Sequence, residues 1–334
     1  MKLKPFKSIV ISLAIVGVTF VIISWGPFGH ERINKAAVLA LPEPVRTFFY
    51  NHIDFVTQES TVPDLRKYTL RDNSEKPRHF IDLENYGAAD TVPRTSELAK
   101  KKYAEKFLSS NGILPWYIQD VMVKLTKAFK DKRKTEILFL AADLGHYIGD
   151  AHMPLHTAVN HDGLLTNQKG IHALWEARIP EMFGKDYNLH TEGATYISNI
   201  EETTWGIIND SHSLIAPLLL ADKNLRDAVG VDKMYNLDAK GTIAKNKFND
   251  LIHTDEYVKK YNQALNGMVE KQLRKAIVMT SSYWYTAWVN AGKPDLSGLD
   301  TPDQTERNKE NLKSDLKLWN QGKLFGLESE KDFD

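Results

Sequence analysis

The run TEILFLAADLGHYIGDAHMPLH, from Thr135 to His156, carries His146 and Asp150 four residues apart. On a helix that interval places both side chains on one face with Cβ atoms about 6 Å apart, where they can grip one divalent ion. Pro154 ends the helix, because a residue that precedes proline is driven out of helical conformation, and His156 follows where the chain can turn back. A second pair, His172 and Glu176, sits in GIHALWEARIP. Two His-carboxylate pairs on separate helices, with a third histidine at a helix break, suit a cluster of hard-to-borderline divalent ions. Taken alone, a His-x-x-x-Asp pair reads more simply as a surface hydrogen bond or salt bridge. Leu138, Ala141, Ala142, Leu144 and Ile148 make this helix too apolar for a solvated face, and buried polar groups need partners of the kind a metal supplies.

The elements that must position these residues are helical. Apolar residues recur at helical spacing over His30–Leu41, Val45–Val56, Ser96–Leu108, Trp116–Phe129, Thr135–Met153, Ile171–Phe183, Ile200–Leu220 and Glu256–Asn290, and strand alternation is nearly absent. The expected fold class is all-α, one multi-helix domain over residues 25–291. Irregular stretches are expected at Thr61–Arg94, Thr157–Gly170 and Gly184–Ser198, lengths that usually mark functional loops. Residues 292–334 turn strongly polar and read as a peripheral tail with one helix near Glu306–Trp319. Trp284, Tyr285 and Trp288 read as packing, and His152, off the His146/Asp150 stripe, as an exposed histidine.

Composition limits the chemistry. The 334 residues hold 43 Lys+Arg, 43 Asp+Glu and no cysteine, which excludes disulfides, thiolate metal sites, iron–sulfur clusters and a cysteine nucleophile. Any metal must be held by nitrogen and oxygen. A net charge of zero gives no long-range attraction for polyanions, so a nucleic acid would have to be drawn by a local positive site. Lys2, Lys4 and Lys7 precede an uncharged apolar run, Ser8–Ser24, the layout of a signal peptide over residues 1–24. An uncleaved anchor is the alternative, and the only route to a membrane. Cleavage after Ser24 makes Trp25 the N-terminus of an exported, periplasmic or secreted protein.

The runs W-G-x-x-G-H (Trp25–His30), P-D (Pro63-Asp64), R-H-F-I-D (Arg78–Asp82), G-H-x-x-x-D-x-x-x-P-L-H (Gly145–His156) and H-x-x-W-E (His172–Glu176) appear in an order and spacing that resembles the phospholipase C/P1 nuclease superfamily of trinuclear zinc phosphodiesterases. The resemblance implies three zinc ions. One would be held by Asp64, His79, His146 and Asp150, a second by His156, His172 and Glu176, and a third by the α-amine and carbonyl of Trp25 with His30 and the bridging Asp150. It also implies hydrolysis of a phosphodiester by metal-activated water, with Asp64 and Asp150 at the reaction centre and a cation, Arg66 or Lys67, at the leaving oxygen. An α-amine becomes a ligand only once the peptide bond before it is cut, so processing would complete the site.

Within that superfamily the expected branch is the S1/P1-type nuclease acting on single-stranded nucleic acid. Phe80 and Asp82 fall where such nucleases stack a base and hydrogen-bond its edge; the alternative for Phe80 is core packing beside His79. Glu176, where nucleases usually carry aspartate, favours the sister branch, a zinc phospholipase C acting on phospholipid. A non-catalytic exported metal-binding protein is the remaining reading. No obligate protein partner is evident.

Overall fold

Helix α8, Lys134–Ala151, is apolar over most of its circumference beyond its first turn, and every residue from Leu144 to Ala151 is buried. In the computed structural model, which describes residues 26–325 apart from 89, 231–232, 246–250 and 301, α8 is the central rod. Against it pack α1 (Gly26–Ala40), α3 (Ile53–Gln58), α7 (Leu114–Lys130) and α14 (Met268–Asn290), and α1 and α7 also pack on α14. The Trp284 indole of α14 donates to the Ala141 carbonyl of α8 (2.9 Å) and its ring stacks on Phe49. Trp284 is fully buried and Trp288 nearly so, as packing requires.

The fold is all-α; the described residues contain only isolated β-bridges around 235–253. Val45–Val56 divides into α2 (Val45–Tyr50) and α3. The stretch after Thr61 contains a helix, α4 (Val62–Tyr68), started by Pro63, whose missing amide proton costs nothing in a first turn. Two short helices, α5 (Ser96–Lys102) and α6 (Glu105–Asn111), precede α7. Ile171–Phe183 is α9 (Ile171–Ala173) and α10 (Ile179–Phe183) joined by a π-turn, Leu174–Arg178. Two further expected helices are also broken. Pro217 has no amide proton for residue 213, and the chain divides there into α11 (Ile200–Ser213) and α12 (Ile215–Val229). Asn266 and Gly267, both at positive φ, separate α13 (Asp255–Ala264) from α14.

The polar C-terminal segment forms α15, Pro302–Trp319, and is tied down rather than loose. Tyr50 donates to Asp315 (2.6 Å), Asn308 donates to the Asn51 carbonyl, and Trp319 lies against His190. Among the described residues no helix is long and apolar enough to cross a membrane. Residues 1–25, including the expected signal peptide and Trp25, lie outside those described.

Candidate metal centre

His146 and Asp150 of α8 are fully buried. They can meet α1 because glycine stands at 145 and 149. A Cβ at 145 would fall 1.9 Å from Asn34 Oδ1, and one at 149 would fall 3.1 Å from His30 Nδ1. With that close approach the His30 ring stacks on His146 at 3.8 Å, and His30 Nε2 lies 3.6 Å from Asp150 Oδ1. Asp64 sits in the first turn of α4. His79 ends a 3-10 turn, Lys76–His79, in a stretch clamped by backbone hydrogen bonds: Ile113 to Pro77, Leu114 to Phe80, Asp82 to Asn111 and Ile81 to His156. His79 Nδ1 lies 2.9 Å from Asp150 Oδ2, 3.0 Å from His146 Nε2 and 3.7 Å from Asp64 Oδ1, and His146 Nε2 is 3.3 Å from Asp150 Oδ2.

The second group closes beside the first. His156 lies in the turn Pro154–Thr157 that follows α8. His172 Nε2 is 2.9 Å from Glu176 Oε1, and His156 Nε2 is 3.5 Å from Glu176 Oε2. The π-turn that carries Glu176 is the kind of helix irregularity often found at functional sites. Three rings are aimed by backbone carbonyls: His146 Nδ1 donates to Ser60 (2.8 Å), His156 Nδ1 to His79 (2.6 Å) and His172 Nδ1 to His161 (3.0 Å), which leaves each Nε2 lone pair facing inward.

These residues fit zinc. Tetrahedral ligands at bond lengths of about 2.0–2.1 Å stand roughly 3.3 Å from one another, close to the separations among Asp150 Oδ2, His79 Nδ1 and His146 Nε2. Asp64 Oδ1 is buried without a hydrogen-bond partner, as an oxygen awaiting a cation would be. Three groups of donors could each hold an ion: His30, Asp64 and His146; His79, His146 and Asp150; and His156, His172 and Glu176. The electrostatics agree with a shared cationic requirement. Burial pushes Asp64 up to about 7, and burial together with Lys67 pushes His79 down to about 4. Burial opposes charge on Asp150 too, yet His146 and His156 hold its carboxyl well below the usual range. Burial likewise opposes charge on His146 and His172, but the Asp150 and Glu176 carboxylates outweigh it and raise both rings.

A cavity of about 400 Å³ opens onto the cluster, with His79, His156, His172 and Glu176 in its lining. Lys67, Lys76, Phe80 and Asp82 line it as well. Phe80 is extended (φ −150°, ψ 171°), so residues 80 and 82 point to one side and Ile81 to the core. Phe80 is thus only partly buried, a cavity wall rather than core. Burial and the neighbouring Glu84 push Asp82 up to about 6. A larger cavity of about 630 Å³, between Arg78, Tyr103 and Tyr117, lies outside the cluster and includes none of the ligands.

Two expectations are corrected. Arg66 does not line the cavity; its guanidinium bonds Glu75 (3.0 Å), Asp143 (2.8 Å) and the Tyr147 hydroxyl. Lys67 alone of that pair faces the site, with Nζ 3.9 Å from Asp64 Oδ1. His152 is buried, not exposed, with Nδ1 donating to the Ile148 carbonyl, because α11 and α14 cover the side of α8 opposite the ligands; Ser211 and Gln272 bond the carbonyls of Ala151 and His152 there. Glu75, fully buried behind His79, had no sequence signal: it stands in a polar stretch, Asn73–Lys76, that reads as a solvated turn.

The comparisons with known proteins agree with this geometry. The S1/P1 Nuclease family matches residues 25–279, a span that begins at Trp25 and contains every expected ligand. Nuclease S1 of Aspergillus oryzae (strain ATCC 42149 / RIB 40) is 23% identical over 297 residues, which cover 84% of this chain and 94% of that protein. Helical fold, ligand order and family match converge: the chain belongs to the S1/P1 nuclease family, and is a phosphodiester hydrolase.

Proposed function

We propose that this protein is an exported, zinc-dependent nuclease that cleaves single-stranded nucleic acid at a trinuclear site. The observation that carries the reading is the convergence of His30, Asp64, His79, His146, Asp150, His156, His172 and Glu176 in one cluster, of which His79, His156, His172 and Glu176 line a cavity that also holds lysines and an aromatic ring. Asp64, His79, His146 and Asp150 would hold one zinc, and His156, His172 and Glu176 a second. His30 and Asp150, with the α-amine and carbonyl of Trp25, would hold the third. Zinc bound there supplies a Lewis acid and, near neutral pH, a source of hydroxide.

The chain's own groups do the rest. Asp64 and Asp150 set the charge of the cluster and orient the histidines. Lys67 places a cation where the departing alkoxide develops charge, a contribution strengthened by its partly buried position. Lys76 adds local positive potential at the rim, which a chain of zero net charge needs to draw a polyanion. Phe80 offers its ring to a base and the Asp82 carboxylate accepts from the base edge. No protein nucleophile is required.

Intact mass and metal content of the active protein test the assignment. The expected result is a chain that starts at Trp25 with three zinc ions. Active, fully loaded protein that still begins at Met1 would remove Trp25 from the ligand set.

A further inference from the structure

His79 differs from its neighbours. His146, His156 and His172 each give Nδ1–H to a backbone carbonyl and turn Nε2 inward, whereas His79 turns Nδ1 inward and leaves Nε2 facing outward. A neutral imidazole can offer the Nδ1 lone pair to a metal only if its proton sits on Nε2, so something must hold that proton there. The acidic group on that side is Glu75 Oε1, 3.4 Å from His79 Nε2.

The two oxygens of Glu75 have separate partners. Oε2 receives both guanidiniums, Arg78 Nη1 at 2.7 Å and Arg66 Nε at 3.0 Å. Oε1 receives the Tyr147 hydroxyl and faces His79. The side chain is fully buried, so its direction is fixed on all sides rather than averaged by solvent. A carboxylate that orients a metal-bound imidazole through its remote nitrogen is a general device for raising ligand basicity and fixing ring orientation.

We infer that Glu75 is a positioning residue for the metal centre: it fixes the Nε2–H form of His79 and so aims Nδ1 at the zinc shared with Asp64, His146 and Asp150. The inference rests on the zinc reading above. A competing role is purely structural, in which Glu75 only neutralises Arg66 and Arg78.

The test compares Glu75→Gln, Glu75→Asp and Arg78→Met with the parent protein in two measurements: zinc affinity by competition with a chromophoric chelator, and the His79 Nε2–H signal of zinc-loaded protein, its shift and its exchange with solvent, by nitrogen-15 NMR of labelled histidine. Glu75→Asp keeps the charge but withdraws the oxygen by one methylene, so it guards against a Gln variant that does not fold. Both Glu75 variants are expected to bind one of the zinc ions about 10–100-fold more weakly and to show a shifted, faster-exchanging His79 Nε2–H. Arg78→Met, which removes an Oε2 partner only, is expected to keep both properties. Parental affinity and a parental Nε2–H signal in the Glu75 variants would overturn the inference, as would an equal loss of zinc in Arg78→Met. Failure of the parent to bind zinc at all would instead sink the zinc reading, and this inference with it.

Discussion

Replacing Asp150 by Asn is expected to remove two of three zinc ions and spare the third. The two carboxylate oxygens face different sets of ligands: Oδ2 is 2.9 Å from His79 Nδ1 and 3.3 Å from His146 Nε2, while Oδ1 is 3.6 Å from His30 Nε2. An amide of the same shape keeps one acceptor oxygen and turns an NH2 toward one of those imidazoles, so one ion loses a donor and both lose the negative charge. Loss of a supporting partner alone costs about 10–100-fold in metal affinity, and loss of an anionic ligand costs at least that. This is about 1.4–2.8 kcal/mol per ion, or a combined factor on the order of 10²–10⁴ for the pair. His156, His172 and Glu176 do not depend on Asp150 for a donor, since His156 Nδ1 is already given to the His79 carbonyl. Protein equilibrated against a zinc buffer and analysed by elemental mass spectrometry should therefore show one zinc per chain and no turnover. Three retained ions would refute the bridging role, and loss of all three would refute the independence of the second group.

Further outcomes follow from the cavity rim. Lys67→Met should lower kcat by about 10²–10³-fold with little change in KM, because the cation acts on charge that develops in the transition state; a KM effect alone would move Lys67 to substrate binding. Phe80→Ala should cost about 1–3 kcal/mol of kcat/KM on a dinucleotide while sparing a small bis-aryl phosphodiester that has no base to stack; equal losses on both would make Phe80 a packing residue. Asp82 titrates near 6 because burial and Glu84 disfavour its charge, so the carboxylate that accepts from a base edge is present above that pH and protonated below it. The ratio of rates on two bases should thus flatten as pH falls through 6, and Asp82→Asn should hold one ratio throughout; a pH-independent ratio in the parent protein would exclude the base-edge contact.

Much of the site was legible because its ligands come in local units. His146 with Asp150, and His172 with Glu176, are pairs that one helical turn brings together whatever the rest of the chain does. Asp64, His79 and His30 carried no such local signal and were placed only by the resemblance of their motifs; in the structure they join through the glycine-mediated contact of α1 with α8 and the clamp on residues 77–82. His152 was misread because helical phase says which residues share a face, not what covers the opposite one. Arg66 was misplaced for a related reason: adjacency to Asp64 in sequence turns it about 100° per residue around α4, away from the cavity and onto Glu75, Asp143 and Tyr147. The helix breaks at Pro217 and Asn266-Gly267 had visible signals that continuous apolar spacing concealed. Glu75 was illegible, since nothing in a polar stretch tells which carboxylate will be buried behind a ligand.

The central claim is tested most directly by turnover of zinc-loaded protein that begins at Trp25, measured side by side on single-stranded nucleic acid and on phosphatidylcholine, with and without chelator. Cleavage of the nucleic acid that chelation abolishes and zinc restores is the predicted result. Chelator-sensitive cleavage of the lipid with the nucleic acid left intact would contradict it.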